Sequence, residues 1–254
     1  MAKKSRLLLI LLIYWILCEF CDAKLDTRRE LLFFFDKVQV KGSLDVFIKP
    51  GKRNGEAKIY ADAEIIDLVR LHVSERTLFI DANNTFTVRR RLPFLKLSAE
   101  RKFPVEVVVS IDRLEEIEVH ENSNLTCTNL SGSNIKVFSS SNGLIHFENL
   151  LCENLQVRHE GAGNIFLRGR KITKLQAHLH GSGSFQAGDL PVDEAIISHH
   201  GNGLVEISPE RWLDARIRKN GNLLLHEKPL RMVVERTGSG EIKQLDLNST
   251  QTTP

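Results

Sequence analysis

Six polar residues recur at intervals of twenty: His120, Ser140, Glu160, His180, His200 and Asn220. If successive copies stack on one another, neighbours lie about one strand spacing, ~4.8 Å, apart. Imidazole nitrogens and a carboxylate converging from such positions could bind Zn²⁺, which takes three or four ligands at about 2.0 to 2.2 Å. Glu160, His180 and His200 are then the candidate ligands. Side chains stacked in a ladder point parallel rather than toward one point. The competing reading is therefore a solvated polar column that titrates near the unperturbed histidine value of about 6.5.

A second set with chemical potential is acidic: Asp189, Asp193, Glu194, Glu206, Glu210 and Asp214. Glycan hydrolysis needs two carboxylates converging at about 5 to 10 Å. These six fall mostly at corners and on wet faces of the strands described below, where solvated charge is the ordinary state. Gly181-Ser182-Gly183 lacks the following helix and the Lys-Ser/Thr pair of a phosphate loop. No serine-centred nucleophile elbow is present. The basic cluster Arg89, Arg90, Arg91, Lys96, Arg101 and Lys102 could meet nucleic acid or lipopolysaccharide, but it lacks interleaved aromatics beyond Phe86 and Phe94. It reads as a solvent-exposed loop or long hairpin tip between Asn83 and Lys102. No catalytic residue, cofactor or nucleic-acid partner is expected. Asn83, Asn124, Asn129 and Asn248 open glycosylation sequons, which matter only in a eukaryotic secretory pathway.

The elements that would position these residues follow from a repeat. From Ser131 the chain can be written without gaps in blocks of about twenty residues. Each block carries a glycine turn: Gly161-Ala162-Gly163, Gly181-Ser182-Gly183, Gly201-Asn202-Gly203 and Gly221-Asn222, with Gly238-Ser239-Gly240 later and a weaker Ser141-Asn142-Gly143 earlier. Short alternating stretches flank every turn. They place Leu155, Val157, Ile165, Leu167, Leu175, Ala177, Phe185, Ala187, Ile197, Val205 and Ile207 on one face, and Gln156, Arg158, Arg168, Gln176 and His178 on the other. Glycine at the corner is expected to supply a positive φ. The likeness is strongest at one full block rather than at half a block, so equivalent residues stack and each block is one rung. The expected fold is all-β, a single-stranded parallel β-helix with a narrow core, right-handed by the usual crossover chirality.

The N-terminal part is less regular. Phe35 to Val46 alternates, Ala57 to Tyr60 returns, and Leu71 to Ile80 and Val105 to Ile111 read as strands. Asp62 to Arg70 reads as a short helical turn with Asp62 as its cap. Before all of this, Lys3, Lys4 and Arg6 precede an apolar run from Leu7 to Cys18, ending in Cys21-Asp22-Ala23. That is the build of a secretory signal cleaved after Ala23, and the run is shorter than the roughly 20 residues a membrane span needs. Lipoprotein processing at Cys18 or Cys21 is disfavoured by bulky Leu17 and Phe20. The expected organisation is a signal peptide over 1–23, a lead-in over 24–32, the solenoid over 33–245 and a polar tail over 246–254, exported to the periplasm, outer envelope or medium.

Removing 1–23 takes away three cationic and two acidic residues from a formal charge of +3 and leaves +2. So small a charge gives no argument for nucleic acid or anionic membranes. Cys127 and Cys152 remain, the first in a strand and the second at a turn about five residues out of register. A bridge needs Cα atoms within about 7 Å, so buried free thiols are the competing reading.

The run Phe35-Asp-Lys-Val-Gln-Val-Lys-Gly-Ser-Leu-Asp-Val-Phe-Ile48, the Ala61-Asp-Ala-Glu64 stretch, the Thr77-Leu-Phe-Ile80 strand and the serial glycine turns together resemble the head GIN domain family of auto-transporter adhesins. The likeness runs from about Phe33 to Leu245. It implies an exported parallel β-helix of a bacterial envelope, adhesin-like and non-catalytic, with no shared catalytic residues to carry over. Its partners would be a glycan, a cell-surface component or a protein, or further copies of itself. A glycan-active β-helix enzyme and a purely structural self-associating protein are the alternatives. This chain departs from the pattern where Glu121-Asn122-Ser123-Asn124 and Leu223 stand in place of glycines.

Overall fold

The computed structural model describes residues 25–52, 55–92 and 95–245; the expected signal segment and the polar tail lie outside them. Among the described residues no helix is long and apolar enough to cross a membrane. The strands are β1 (Leu25–Leu31), β2 (Lys37–Gly42), β3 (Asp45–Pro50), β4 (Glu56–Asp62), β5 (Val69–Ser74), β6 (Thr77–Ala82), β7 (Thr85–Leu92), β8 (Leu95–Lys102), β9 (Val105–Ile111), β10 (Glu116–Val119), β11 (Asn124–Thr128) and β12 (Ser131–Ser139). They continue as β13 (Ile145–His159), β14 (Ile165–Gly169), β15 (Ile172–Leu179), β16 (Phe185–His199), β17 (Val205–Ile217), β18 (Leu223–Leu225), β19 (Arg231–Arg236) and β20 (Ile242–Gln244).

The pairing is that of a β-solenoid. One parallel stack runs β6, β2, β10, β12, β13, β15, β16, β17, β19. The other runs β9, β3, β11, β13, β14, β16, β17, β18, β20. The longest strands, β13, β16 and β17, round a corner and serve both stacks. All eleven core residues predicted from the alternation are at most 1% exposed. The two dry faces close on each other, as the period of two requires.

Two features of the first hundred residues lie beyond the repeat. The rung formed by β6 and β9 comes later in the chain than β2 and β3 yet stacks outside them, so the first rung in sequence is the second in space. The basic segment is a hairpin of β7 and β8 inserted at the corner of that outer rung. Beyond it the stack ends in antiparallel strands: β5 against β6, β4 against β9, and β1 against β4. Arg28 closes this end by donating to the carbonyls of Ile66 at 2.7 Å and Val69 at 2.5 Å. The short helical turn is a 3₁₀ turn over Ile66–Leu68 whose N-cap is Ile65, without a side-chain cap bond. Asp62 is not its cap. It ends β4, and its Oδ1 accepts the Glu64 N–H at 2.9 Å in a local turn.

The corner glycines have a different reason from the one expected. Among the described glycines, φ is positive at Gly42 alone. The glycines of the repeated corners are required instead by close approach of stacked backbones. A Cβ on Gly163 would meet the Gly143 oxygen at 1.9 Å, one on Gly183 the Gly163 oxygen at 1.7 Å, and one on Gly203 the Gly183 oxygen at 2.0 Å. A second column, Gly161, Gly181 and Gly201, is as tight, at 1.8 to 2.0 Å. The corner lacking glycine is closed differently: Glu121 takes a φ of 60°, and buried Ser123 donates through Oγ to the Gly42 carbonyl at 3.1 Å.

Asparagines complete the corners. Asn142 donates to Asn122 at 3.2 Å, Asn149 to Asn129 at 3.2 Å and Asn154 to Asn134 at 2.9 Å, each pair one rung apart. Each such bond contributes about 1 kcal/mol. The sequon residues Asn124 and Asn129 are both tied into these contacts, Asn124 by accepting the Leu144 N–H at 2.7 Å.

The gapless twenty-residue alignment breaks in β17. From β10 to β16 the partners are twenty apart, save at Leu150, which pairs with Gly169, but Ala195 pairs with Leu213 and Ile197 with Ala215, because the rung loses two residues at the irregular corner near Pro191 and Ser208. Gly221 therefore stacks on Gly203, with a Cβ–oxygen approach of 2.6 Å. Leu223 is a buried strand residue opposite Val205 and replaces no glycine. Cys152 lies within β13 rather than at a turn. It pairs with Gly132, whereas Cys127 pairs with Phe147; both thiols are free and buried, and burial pushes each up to about 12.

The same inward phase carries two histidines into the core. His159 and His199 are each 1% exposed and align with Leu179 between them. His199 Nε2 lies 2.9 Å from the Gly203 carbonyl, while its Nδ1 and both nitrogens of His159 make no hydrogen bond of ordinary geometry. Burial holds both imidazoles below the usual 6.5, opposed more weakly by nearby backbone groups. Each is therefore neutral in the fold but protonates in the unfolded chain below pH 6.5. Stability is full above that pH and falls below it by about 1.4 kcal/mol per pH unit per histidine, until the folded pKa is reached. His159→Leu, which copies Leu179, should flatten the decline between pH 7 and 5 by that amount. Urea denaturation at a series of pH values reads it, and an unchanged slope would clear His159 of the effect.

Candidate functional site

The outward phase of the first stack makes two polar columns. One is Lys37, Glu116, Lys136, Gln156 and Gln176; beside it run Gln39, Glu118, Phe138, Arg158 and His178. Opposite charges alternate along the first, with Lys37 and Glu116 3.5 Å apart. In the second, Phe138 is held between the ring of His120, 5.7 Å away, and the guanidinium of Arg158, 5.7 Å from its centroid. His120 is itself fixed by Ser140 Oγ at 2.8 Å and by Gln39 at 3.3 Å.

Two concavities of about 550 and 250 Å³ adjoin here, sharing Glu116, Lys136 and Gln156. The larger reaches the opposite corner at Arg113, Gly132, Asn134 and Asn154; the smaller reaches Phe138, Arg158, Gln176 and His178. Together they form a trough that crosses rungs along the solenoid axis. Its chemistry is that of recognition. Amides from Asn134, Asn154, Gln156 and Gln176 both donate and accept, and one aromatic ring and several charges stand among them. Its acidic members are engaged, Glu115 with Arg113 at 3.8 Å and Glu116 with Lys37.

The candidate zinc column lies one step toward the glycine corner. Glu160 is taken by Arg158, whose Nε and Nη2 donate to its Oε1 at 2.8 and 2.5 Å. His180 and His200 lie against each other with ring centroids 4.7 Å apart and ring planes tilted by 48°. Burial first, then the charges of His180 and Arg218, holds His200 below the ordinary histidine value. Among the described residues no group of three His, Cys, Asp or Glu is placed to hold a metal. Arg218, not Asn220, continues the column after His200, because of the shortened rung.

Five of the six acidic candidates lie in ion pairs, and two of them, Asp193 and Glu210, come together on one lysine. Arg168 holds Asp189 at 3.0 Å, His226 meets Glu206 at 2.9 Å, and Arg216 faces Asp214 at 3.5 Å. Lys171 bridges Asp193 at 2.9 Å and Glu210 at 2.5 Å, and these two carboxylates raise its pKa. The trough itself was not singled out from the sequence. Its signal was present in the outward phase, where Lys136, Gln156 and Gln176 recur at twenty, but its concavity depends on how the rungs stagger at the corner.

No curated protein matches the sequence. The structure is similar to that of a "putative adhesin" from Bacteroides fragilis, with a TM-score of 0.77 and 22% identity over 88% of this chain and 98% of that one. It is also similar to a "putative lipid binding protein" from Parabacteroides distasonis, with a TM-score of 0.66 and 17% identity over 88% and 98%. A "putative adhesin" from Parabacteroides merdae gives 0.60 and 18% over 88% and 97%. At such identities these likenesses speak to the fold alone. The family model described as "Putative auto-transporter adhesin, head GIN domain" matches residues 34–229, so the chain belongs to the head GIN domain family.

Proposed function

We propose that this protein is an exported, non-catalytic, adhesin-like scaffold that binds an extended glycan along the trough of the first stack. The observation that carries this reading is the pair of adjoining concavities lined by amides and alternating charges around Phe138. A solenoid presents such columns on a rigid frame, so a repeating polymer meets pre-positioned donors and acceptors at little ordering cost. The ion-paired carboxylates favour binding over hydrolysis, since an acid and a base need separate environments. Export rests on the basic, apolar and small-residue order of residues 1–23.

Screening the purified protein against polysaccharides, scored for binding and for new reducing ends, tests both halves of the reading. The expected result is binding without cleavage, and a loss of about five- to tenfold in affinity for Gln156→Ala, the worth of about one hydrogen bond. Cleavage would make the protein an enzyme. Binding untouched by Gln156→Ala would move the site off the trough.

A further inference from the structure

The two ends of the solenoid are unlike. Antiparallel strands and Arg28 close the first end, whereas β19 and β20 form the last rung, and no described strand pairs with their outer edge. Every residue of β19 is exposed. Met232 and Val234 align with buried Leu213 and Ala215, so they lie in the inward phase, yet they are 50% and 36% exposed; Val233 is 58% exposed. Throughout the stack, outward-phase residues send their N–H to the rung before, as Lys136 does to Glu115, Glu160 to Ser139 and Thr237 to Ile217. Met232, Val234 and Arg236 therefore direct their N–H and C=O groups away from β17, to the open edge.

We propose that this edge pairs with the same edge of a second copy, giving a two-fold dimer in which β19 runs antiparallel to β19 of its partner, centred on Val233. Facing residues must share a phase, so three registers bring the strand middles together, centred on Met232, Val233 or Val234. Centring on Met232 sets Glu235 opposite Pro229. Centring on Val234 sets Met232 opposite Arg236 and Glu235 opposite Val233. Centring on Val233 sets Arg231 opposite Glu235 and Met232 opposite Val234, each twice by symmetry. Charge and apolar matching agree on this one register. In it Met232 and Val234 exchange the free backbone hydrogen bonds across the junction, and their side chains extend one core into the other. A two-fold axis perpendicular to the shared sheet keeps the outward faces of both copies on one side. The dimer stands independently of glycan binding; joined to that reading, it presents two troughs to one surface and gains avidity without new contacts.

Light scattering coupled to gel filtration of the purified protein is expected to give twice the chain mass. Arg231→Glu or Glu235→Arg alone should weaken the dimer on the order of tenfold, since each creates two like-charged facing pairs. The double variant R231E/E235R should restore it. Under oxidation Val233→Cys should form a disulfide-linked dimer, because it faces itself at a non-hydrogen-bonded position about 4.5 Å between Cα atoms, whereas Met232→Cys should not. The parent protein, whose Cys127 and Cys152 are buried, sets the background. A monomeric parent protein, a single variant as tight as the parent, failure of the double variant to rescue, or crosslinking through Met232→Cys instead would overturn the proposal. So would a monomer that dimerises only after residues 246–254 are removed, for then the tail covers the edge. A ladder of larger species would show that β19 meets the opposite end.

Discussion

Gly183→Ala is expected to destabilise the solenoid by roughly 3 kcal/mol or more, although it adds one methyl group to a residue near the surface. The new Cβ would lie 1.7 Å from the carbonyl oxygen of Gly163 and 2.6 Å from its carbon. Both are backbone atoms of the rung beneath, so no rotamer change relieves the contact. The two corners must separate, and with them the hydrogen bonds that join β14 to β16. Gly132→Ala is the control. Its Cβ would find nothing nearer than 3.4 Å, and its cost should stay within about 0.5 kcal/mol. Urea midpoints of the two variants decide the matter: equal stabilities would mean that the corner glycines are not held by close approach.

Val157→Asp is expected to unfold the chain or cost roughly 4 kcal/mol or more, whereas Gln156→Asp, one residue away, should be tolerated. Val157 is 1% exposed, between Val137 and Ala177 in neighbouring rungs. A carboxylate there loses its hydration and gains no cation, and it also removes the apolar contact that a Val side chain contributes, about 1.5 to 3 kcal/mol. Gln156 faces the trough, where water and Lys136 can meet the new charge. Because the solenoid is quasi-one-dimensional, the first variant should lose the rungs around β13 together. Circular dichroism and chemical denaturation of the pair provide the check, and similar stabilities would invalidate the inward and outward assignment.

Alternation and recurrence were enough to read the solenoid in the sequence. A period of two fixes which side chains can share a face, and a period of twenty fixes which of them can stack, and both are properties of the covalent chain. That is why Leu155 through Ile207 could be placed in the core. His159 and His199 fall on the same inward phase and are legible from the alternation alone. What the sequence could not decide were quantities set by the distance between rungs and by their order in space. Glycine is needed both for a positive φ and for close approach, and only the 1.7 to 2.0 Å approaches between corners distinguish the second reason. A two-residue contraction in β17 is invisible to a gapless alignment, so Asn220 was matched to His200 in place of Arg218, and Leu223 to a glycine. The placing of β6 and β9 outside β2 and β3, and the trough that opens near Arg113, Gly132 and Gln156, arise from contacts between segments distant in sequence. Local pattern carries no record of those, because they are settled only when whole rungs compete for the same neighbour.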